Sequence, residues 1–198
     1  MAADYALLTK NLCEFYDFAD KVILLIGAGH GQLLDPAIPA KKLIAVDRDL
    51  TTLHEFQKKT AANTNHTVVE IVHSDFDDVA SQADVVYFEF CLHEIADPFA
   101  ALKRARTLAP DVVVFDHSPA SEWVFYGAEE EIVRRSSEAM KNFGIRRSSS
   151  FRTVQRFKSG AELLSKLAAQ GPLAIARAQR YAGINNFTIP MLLELALL

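Results

Sequence analysis

Three glycines fall within five residues in Gly27-Ala28-Gly29-His30-Gly31, directly after the apolar run Val22–Ile26. Glycine allows backbone conformations and close approaches that a Cβ forbids, so such a loop can seat a ligand against bare main chain. The spacing narrows the ligand. A dinucleotide fingerprint needs G-x-G-x-x-G, and the third glycine position here holds Gln32. A pyrophosphate cradle, and with it a nicotinamide oxidoreductase, is disfavoured; a nucleoside without phosphates is favoured. Asp47 stands twenty residues after Gly27, at the end of the second apolar run, Lys42–Val46. A carboxylate there is placed to accept both hydroxyl protons of a ribose. Asp49 is available to cap the helix that follows, so Asp47 is not needed for it. Asp75-Phe76 follows a third run, Thr67–His73. The pair suits an adenine, with the carboxylate on the exocyclic amine and the ring against the base. Helix capping by Asp75 or Asp77 is an equally weighted use.

Four of the six histidines, His30, His73, His93 and His117, stand at or just beyond the ends of apolar runs, together with Asp75, Glu89, Glu94 and Asp116. Open α/β sheets bind ligands outside the carboxyl ends of their strands, near the point where strand order reverses. Histidine, with an unperturbed pKa near ~6.5, is suited to acid–base work there. Cys91, His93, Glu94 and His117 follow two neighbouring runs, so a metal held by imidazole and carboxylate is one arrangement they allow. No histidine pair has H-x-x-x-H spacing, and histidines shaping a polar pocket are the simpler account; no metal ligands are assigned. Phe15, Tyr16 and Phe18, and Trp123, Phe125 and Tyr126, are read as pocket walls on the ligand side, against the ordinary alternative of core packing.

The elements that would carry these residues alternate. Val22–Ile26, Lys42–Val46, Thr67–His73, Asp84–Phe90 and Asp111–Phe115 lack apolar–polar alternation and read as strands buried on both faces. Asp49–Ala62, Asp97–Leu108 and Ala128–Phe143 have apolar residues at helical spacing, with Asp97-Pro98 as a start signal and Gly144 as a stop. This βαβ alternation predicts a parallel sheet with helices on both faces. Asp4–Phe18 reads as a lead-in helix, part of a segment 1–20 that could act as a lid. Beyond Gly144 the pattern weakens. Ala161–Gln170 reads as a short helix, and Leu173–Tyr181 and Phe187–Leu198 flank a turn at Gly183–Asn186, predicting a terminal hairpin. Ile189–Leu198 also suits a helix.

With 198 residues, 50% hydrophobic and 23% charged, the chain is one domain with enough apolar surface for a core. A net charge of −4 argues against a chain-wide grip on nucleic acid or anionic lipid. The basic stretch Gly144–Gly160 holds five cations and no acid, and reads as a solvated loop. Two cysteines make no disulfide framework. No signal peptide is evident, and the longest apolar runs are too short for a bilayer. A cytoplasmic protein is expected, monomer or homodimer, with no membrane or nucleic-acid partner.

The ordered set of motifs resembles the class I S-adenosylmethionine-dependent methyltransferases. The matching stretches are Val22–Leu33, Leu43–Asp49, Ser74-Asp75-Phe76, Ala83–Pro98 and Thr107–Phe115. The resemblance implies a doubly wound, mostly parallel seven-stranded sheet in the order 3-2-1-4-5-7-6, strand 7 antiparallel. It implies S-adenosylmethionine as cofactor, S-adenosylhomocysteine as product, and cofactor contacts at Gly27, Ala28, Gly29, Gly31, Asp47, Arg48, Asp75 and Phe76. The family places an acidic residue two before the first glycine, where this chain has Leu25. Glu89, ending the fourth strand, is the candidate replacement, because the cofactor's ammonium group would otherwise be left unpaired at a cost. After that strand the family presents acceptor-facing residues, which makes His93 with Glu94 the candidate catalytic pair. A small-molecule acceptor is expected. Two alternatives are a cofactor-binding protein without turnover, favoured by Leu25, and a non-methylating, metal-assisted enzyme using the same cofactor, suggested by the histidines.

Overall fold

The computed structural model describes residues 4–29, 40–61 and 68–198. Five parallel strands form its centre: β1 (Val22–Ile26), β2 (Lys42–Asp47), β3 (Val68–His73), β4 (Val85–Glu89) and β5 (Asp111–His117). Two longer strands, β6 (Arg147–Ser159) and β7 (Asn185–Leu197), complete the sheet. Its order is β3-β2-β1-β4-β5-β7-β6, with β7 antiparallel to both neighbours. The order reverses between β1 and β4, so the carboxyl ends of those strands border the expected crevice.

Two apolar layers hold the sheet. Leu25, Ala45, Tyr87 and Phe115 point to one face and pack with α1 (Tyr5–Phe15) and α2 (Leu50–Ala61) through Leu8, Leu12, Leu53 and Phe56. Ile26, Val46, Phe88 and Val114 point to the other, against α3 (Pro98–Leu108) and α5 (Glu130–Phe143). Burial on both faces accounts for the missing alternation in β1, β2, β4 and β5, whereas β3, expected to be buried likewise, lies at the sheet edge and has no buried residue. Truncating a buried side chain such as Leu12, which has no exposure, to Ala costs roughly 2–5 kcal/mol. The helix signals operate as their chemistry requires. Asp97 accepts the Ala100 amide at 2.9 Å ahead of Pro98, and α5 ends at Gly144 with φ 113°.

The last third differs from the sequence reading. Arg147–Ser159 is a strand, not a solvated loop: its odd-numbered side chains Thr153, Gln155 and Phe157 are buried while Arg152, Arg156 and Lys158 face out. Leu173–Tyr181 is helical. Between the arms of the β6–β7 ribbon lie α6 (Gly160–Leu167) and α7 (Pro172–Ala178). The start and end of this insertion meet where Gly160 donates to the Ile184 carbonyl at 2.8 Å. A Cβ on Gly160 would lie 1.9 Å from the Tyr181 carbonyl oxygen, so only glycine lets the two ends cross. A short α4 (Glu122–Gly127) follows β5 and packs its Trp123 and Tyr126 into the first layer. No helix among the described residues is long and apolar enough to cross a membrane.

Candidate active site

Beyond β1 the chain turns through Gly27 at φ 68° and Gly29 at φ 51°. The amides of Gly27 and Ala28 both donate to the Val46 carbonyl at 3.1 Å, which fastens the loop to β2. The two glycines serve different ends. A Cβ on Gly27 would lie 2.5 Å from the Cβ of Cys91, so this position is filled by the chain after β4. Among the described residues, a Cβ on Gly29 would meet only the Gly27 carbonyl oxygen, at 3.5 Å.

Asp47 accepts the Gly29 amide on Oδ2 at 3.0 Å and the Asp49 amide on Oδ1 at 2.9 Å. Each carboxylate oxygen retains a further acceptor position, so Asp47 can hold the loop and still take ribose hydroxyls. Arg48 is exposed, and its carbonyl contacts His73 Nε2 at 2.9 Å, which makes His73 a brace for this loop. Asp75 occupies the cap position of a 3-10 turn but makes no capping bond with its side chain, leaving an exposed carboxylate. Phe76 departs from expectation. Its ring packs edge-on to Phe88 at 5.4 Å and lies under the Arg104 guanidinium, mostly serving the second apolar layer. His30, Gly31 and Gln32 lie outside the described residues.

Leu25 is fully buried, with Tyr87 as its register partner on β4. Glu89, two residues beyond Tyr87, points to the same face of the sheet and is 5% exposed. Burial, followed by the Glu89 charge, pushes the Tyr87 hydroxyl well up. The chain therefore carries a carboxylate one strand over from the position that Leu25 fills.

The other side of the crevice is made of side chains. Phe90 leaves β4 in a left-handed conformation, φ 49°, fixed by its amide donating to the Phe115 carbonyl at 2.8 Å. That turn puts Cys91 against Gly27, where its thiol donates to the Ile26 carbonyl at 3.1 Å. A single 3-10 turn, Leu92–Glu94, then carries His93 onto β5. Asp116 receives three bonds there: His93 Nδ1 on Oδ1 at 2.6 Å, the His93 amide on Oδ2 at 3.2 Å, and the His117 amide on Oδ1 at 2.8 Å. His93 is 4% exposed and Asp116 2%. Burial opposes charge on His93, but the charge and hydrogen bond of Asp116 outweigh it and push the imidazole up to about 9. Glu94, expected to partner His93, is exposed. The structure pairs His93 with Asp116 instead, because a 3-10 turn directs neighbouring side chains apart.

Three further groups close this cluster. Burial drives His117 down to about 4, so it is neutral; its Nδ1 is buried with no hydrogen-bond partner among the described residues. Its ring lies 5.3 Å from Phe90 and 6.1 Å from His93. Glu129, between α4 and α5, is pushed up by burial against the lowering charge of His93. Lys166, from the β6–β7 insertion, is pushed down by burial against the raising charge of Glu129, with its Nζ 4.8 Å over the Trp123 ring. Trp123 thus borders the cluster, while Tyr16 does not. The Tyr16 hydroxyl donates to Asp111 at 2.7 Å, at the start of β5 and the opposite end of the sheet. Among the described residues no group of three His, Cys, Asp or Glu side chains is placed to hold a metal ion.

Sequence reasoning missed the roles of Asp116, Glu129 and Lys166. The Asp116-His117 dipeptide at a strand end was a usable signal for the first; nothing local marks the other two.

A family model described as a methyltransferase domain matches residues 24–115. No curated protein sequence matches the chain. Several solved structures share the fold at low identity. A candidate methyltransferase from Bacillus halodurans C-125 is 12% identical, covers 96% of each chain and has a TM-score of 0.70. A SAM-dependent methyltransferase from Aquifex aeolicus is 18% identical over 92% of this chain and 87% of its own, with a TM-score of 0.57. Magnesium protoporphyrin IX methyltransferase from Synechocystis PCC 6803, with bound SAM, is 14% identical over 97% and 77%, at 0.56. With a methyltransferase-domain match over residues 24–115 and the strand order 3-2-1-4-5-7-6, the chain has the fold of the class I S-adenosylmethionine-dependent methyltransferases.

Proposed function

We propose that this methyltransferase acts on a small-molecule acceptor and that His93, positioned by Asp116, handles the acceptor's proton. S-Adenosylmethionine, when bound, supplies a methyl group already activated by the sulfonium charge. Gly27, Ala28, Gly29 and Asp47 would hold its nucleoside, with Arg48, Asp75 and Phe76 beside them and Glu89 toward its amino-acid end. Gly31 belongs to the same loop by sequence.

The observation that carries the acceptor reading is the burial of the His93–Asp116 pair at the ends of β4 and β5. Trp123, Glu129 and Lys166 crowd the same ends. His93 at 4% and Asp116 at 2% exposure lie beneath the surface, which favours a compact acceptor over an extended one. Asp116 is acceptor-only when ionised, so Nδ1 of His93 carries the proton between them and Nε2 is the nitrogen left to exchange one. That is the geometry of an oriented general base. Glu94 is not part of it.

The test measures S-adenosylhomocysteine release from S-adenosylmethionine across small thiols, amines, phenols and carboxylates, with His93→Gln beside the parent chain. Turnover on at least one class, lost by about 10²–10⁴-fold in the variant, supports the reading. Cofactor binding with no turnover on any class supports the alternative of a binding protein. Turnover unaffected by the substitution removes His93 from the chemistry.

A further inference from the structure

The arrangement poses a difficulty for a general base. Asp116 keeps His93 protonated through neutral pH, and a protonated imidazole cannot take a proton. We propose that His93 is charge-coupled to the cofactor: a sulfonium bound beside the 92–94 turn drives the proton off His93, and the uncharged thioether product lets it return. This inference rests on the reading of the site given above.

Three features support it. The first is proximity. Cys91 occupies the space that a Cβ on Gly27 would fill and donates to the Ile26 carbonyl, so the turn bearing His93 begins one residue from the wall of the glycine loop. The second is burial, which weakens solvent screening of one cation by another. The third is the balance of charges around the ring. Asp116 faces it from β5, Glu129 from the α4–α5 link and Glu94 from its own turn. Cys91, two residues before His93, has its thiol held neutral chiefly by burial, and Glu89 ends β4 two residues before that. Opposing cations are Arg135 of α5, which donates to the Ile95 carbonyl at 3.3 Å, and Lys166 of α6; His117 is neutral. Carboxylates alone sustain the imidazolium, and one more cation nearby reverses the preference. A unit charge within about 6–10 Å, at an effective dielectric of about 20, loosens the imidazole's hold on its proton roughly fifteen- to hundredfold.

The coupling balances over a turnover. His93 loses its proton to solvent when the methyl donor binds. In the transfer the acceptor's X–H proton passes to His93 Nε2, a bond from X to the methyl carbon forms, and the carbon–sulfur electron pair returns to sulfur. With the sulfonium charge gone, His93 keeps that proton, which matches the resting protein. The base therefore exists only while a methyl group is available, and idle proton abstraction from the acceptor is avoided.

The experiment is titration calorimetry of the full chain with S-adenosylmethionine and with S-adenosylhomocysteine at about pH 8, in buffers of different ionisation enthalpy. The slope against that enthalpy reads protons released. Between about half and one proton more is expected with the sulfonium than with the thioether, and His93→Gln removes that excess. The variant subtracts any contribution from the ligands' own amino groups. Nitrogen NMR of His93 in the unsubstituted chain gives the same answer should the variant fail to fold: the ring becomes neutral with S-adenosylmethionine and stays charged with S-adenosylhomocysteine. Equal release by both ligands, an excess that survives in His93→Gln, or a ring charged in both complexes overturns the coupling while leaving the methyltransferase reading intact. Failure of both ligands to bind overturns that reading and this inference with it.

Discussion

The two sides of the crevice are built by different means. On the β1–β2 side the parts are main-chain amides, the Gly27–Gly29 turn, the half-buried carboxylate of Asp47 and the exposed one of Asp75. Each is set by its immediate sequence neighbours. On the β4–β5 side the parts are buried and half-buried side chains from five elements: His93 from a 3-10 turn, Asp116 and His117 from β5, Glu129 from a helix junction, Lys166 from the insertion and Trp123 from α4. A site for a shared cofactor can be assembled from local backbone. A site that must recognise and deprotonate one acceptor needs charges placed in low dielectric, and those come from distant positions.

Substitutions at each side should separate these roles. The largest effect is expected at Asp116. Asp116→Asn removes the charge that holds His93 and should lower kcat about 10²–10⁴-fold while leaving the cofactor Kd within about threefold. Its signature is that the His93 titration falls from about 9 toward or below its ordinary value, which a merely structural role would not produce. Next is Gly27→Ala, which forces a side chain into Cys91 at a positive φ. A loss of about 2–4 kcal/mol in urea unfolding is expected, part of it recovered by adding Cys91→Gly and the remainder being backbone strain.

The paired histidines give opposite pH dependences. His117, depressed to about 4, stabilises the fold fully above its unfolded pKa and loses that contribution as pH falls through 4. His93, raised to about 9, stabilises the fold fully below its unfolded pKa and loses that contribution as pH rises through 9. Unfolding free energy should therefore decline on both sides of slightly acid pH. His117→Phe should flatten the acid limb by about 2–3 kcal/mol, read from urea midpoints between about pH 6.5 and 4. On the cofactor side Asp47→Asn should weaken S-adenosylmethionine binding about 10–30-fold, the cost of one charged hydrogen-bonding group, with His93 still titrating high. Glu94→Gln, at an exposed position, should change turnover less than about twofold. A large loss there would restore the pairing expected from sequence and break the contrast between the two sides.

Legibility followed the same division. β1, β2, β4 and β5 are readable because two-sided burial writes itself as unbroken apolar runs, β3 at the sheet edge is readable by its β-branched residues alone, and Asp97-Pro98 and Gly144 mark helix ends by local chemistry. Arg147–Ser159 reads as a loop by composition because an edge strand with one exposed face can carry cations such as Arg152, Arg156 and Lys158 on that face. Leu173–Tyr181 was misread because its apolar residues suit either a strand or a short helix packed by tertiary contact. Sequence points to Glu94 rather than Asp116 because adjacency in the chain is visible and adjacency across a sheet is not.

What the residues alone determine is the frame: where strands end, which turn carries the glycines, and which carboxylate stands beside it. These depend on backbone conformation and burial pattern, which are encoded within a few positions. What only the tertiary structure decided is the state of the chemistry. The partner of His93, the neutrality of His117 and the reach of Lys166 depend on distances between segments tens of residues apart, and electrostatic energy in a buried site is a function of those distances.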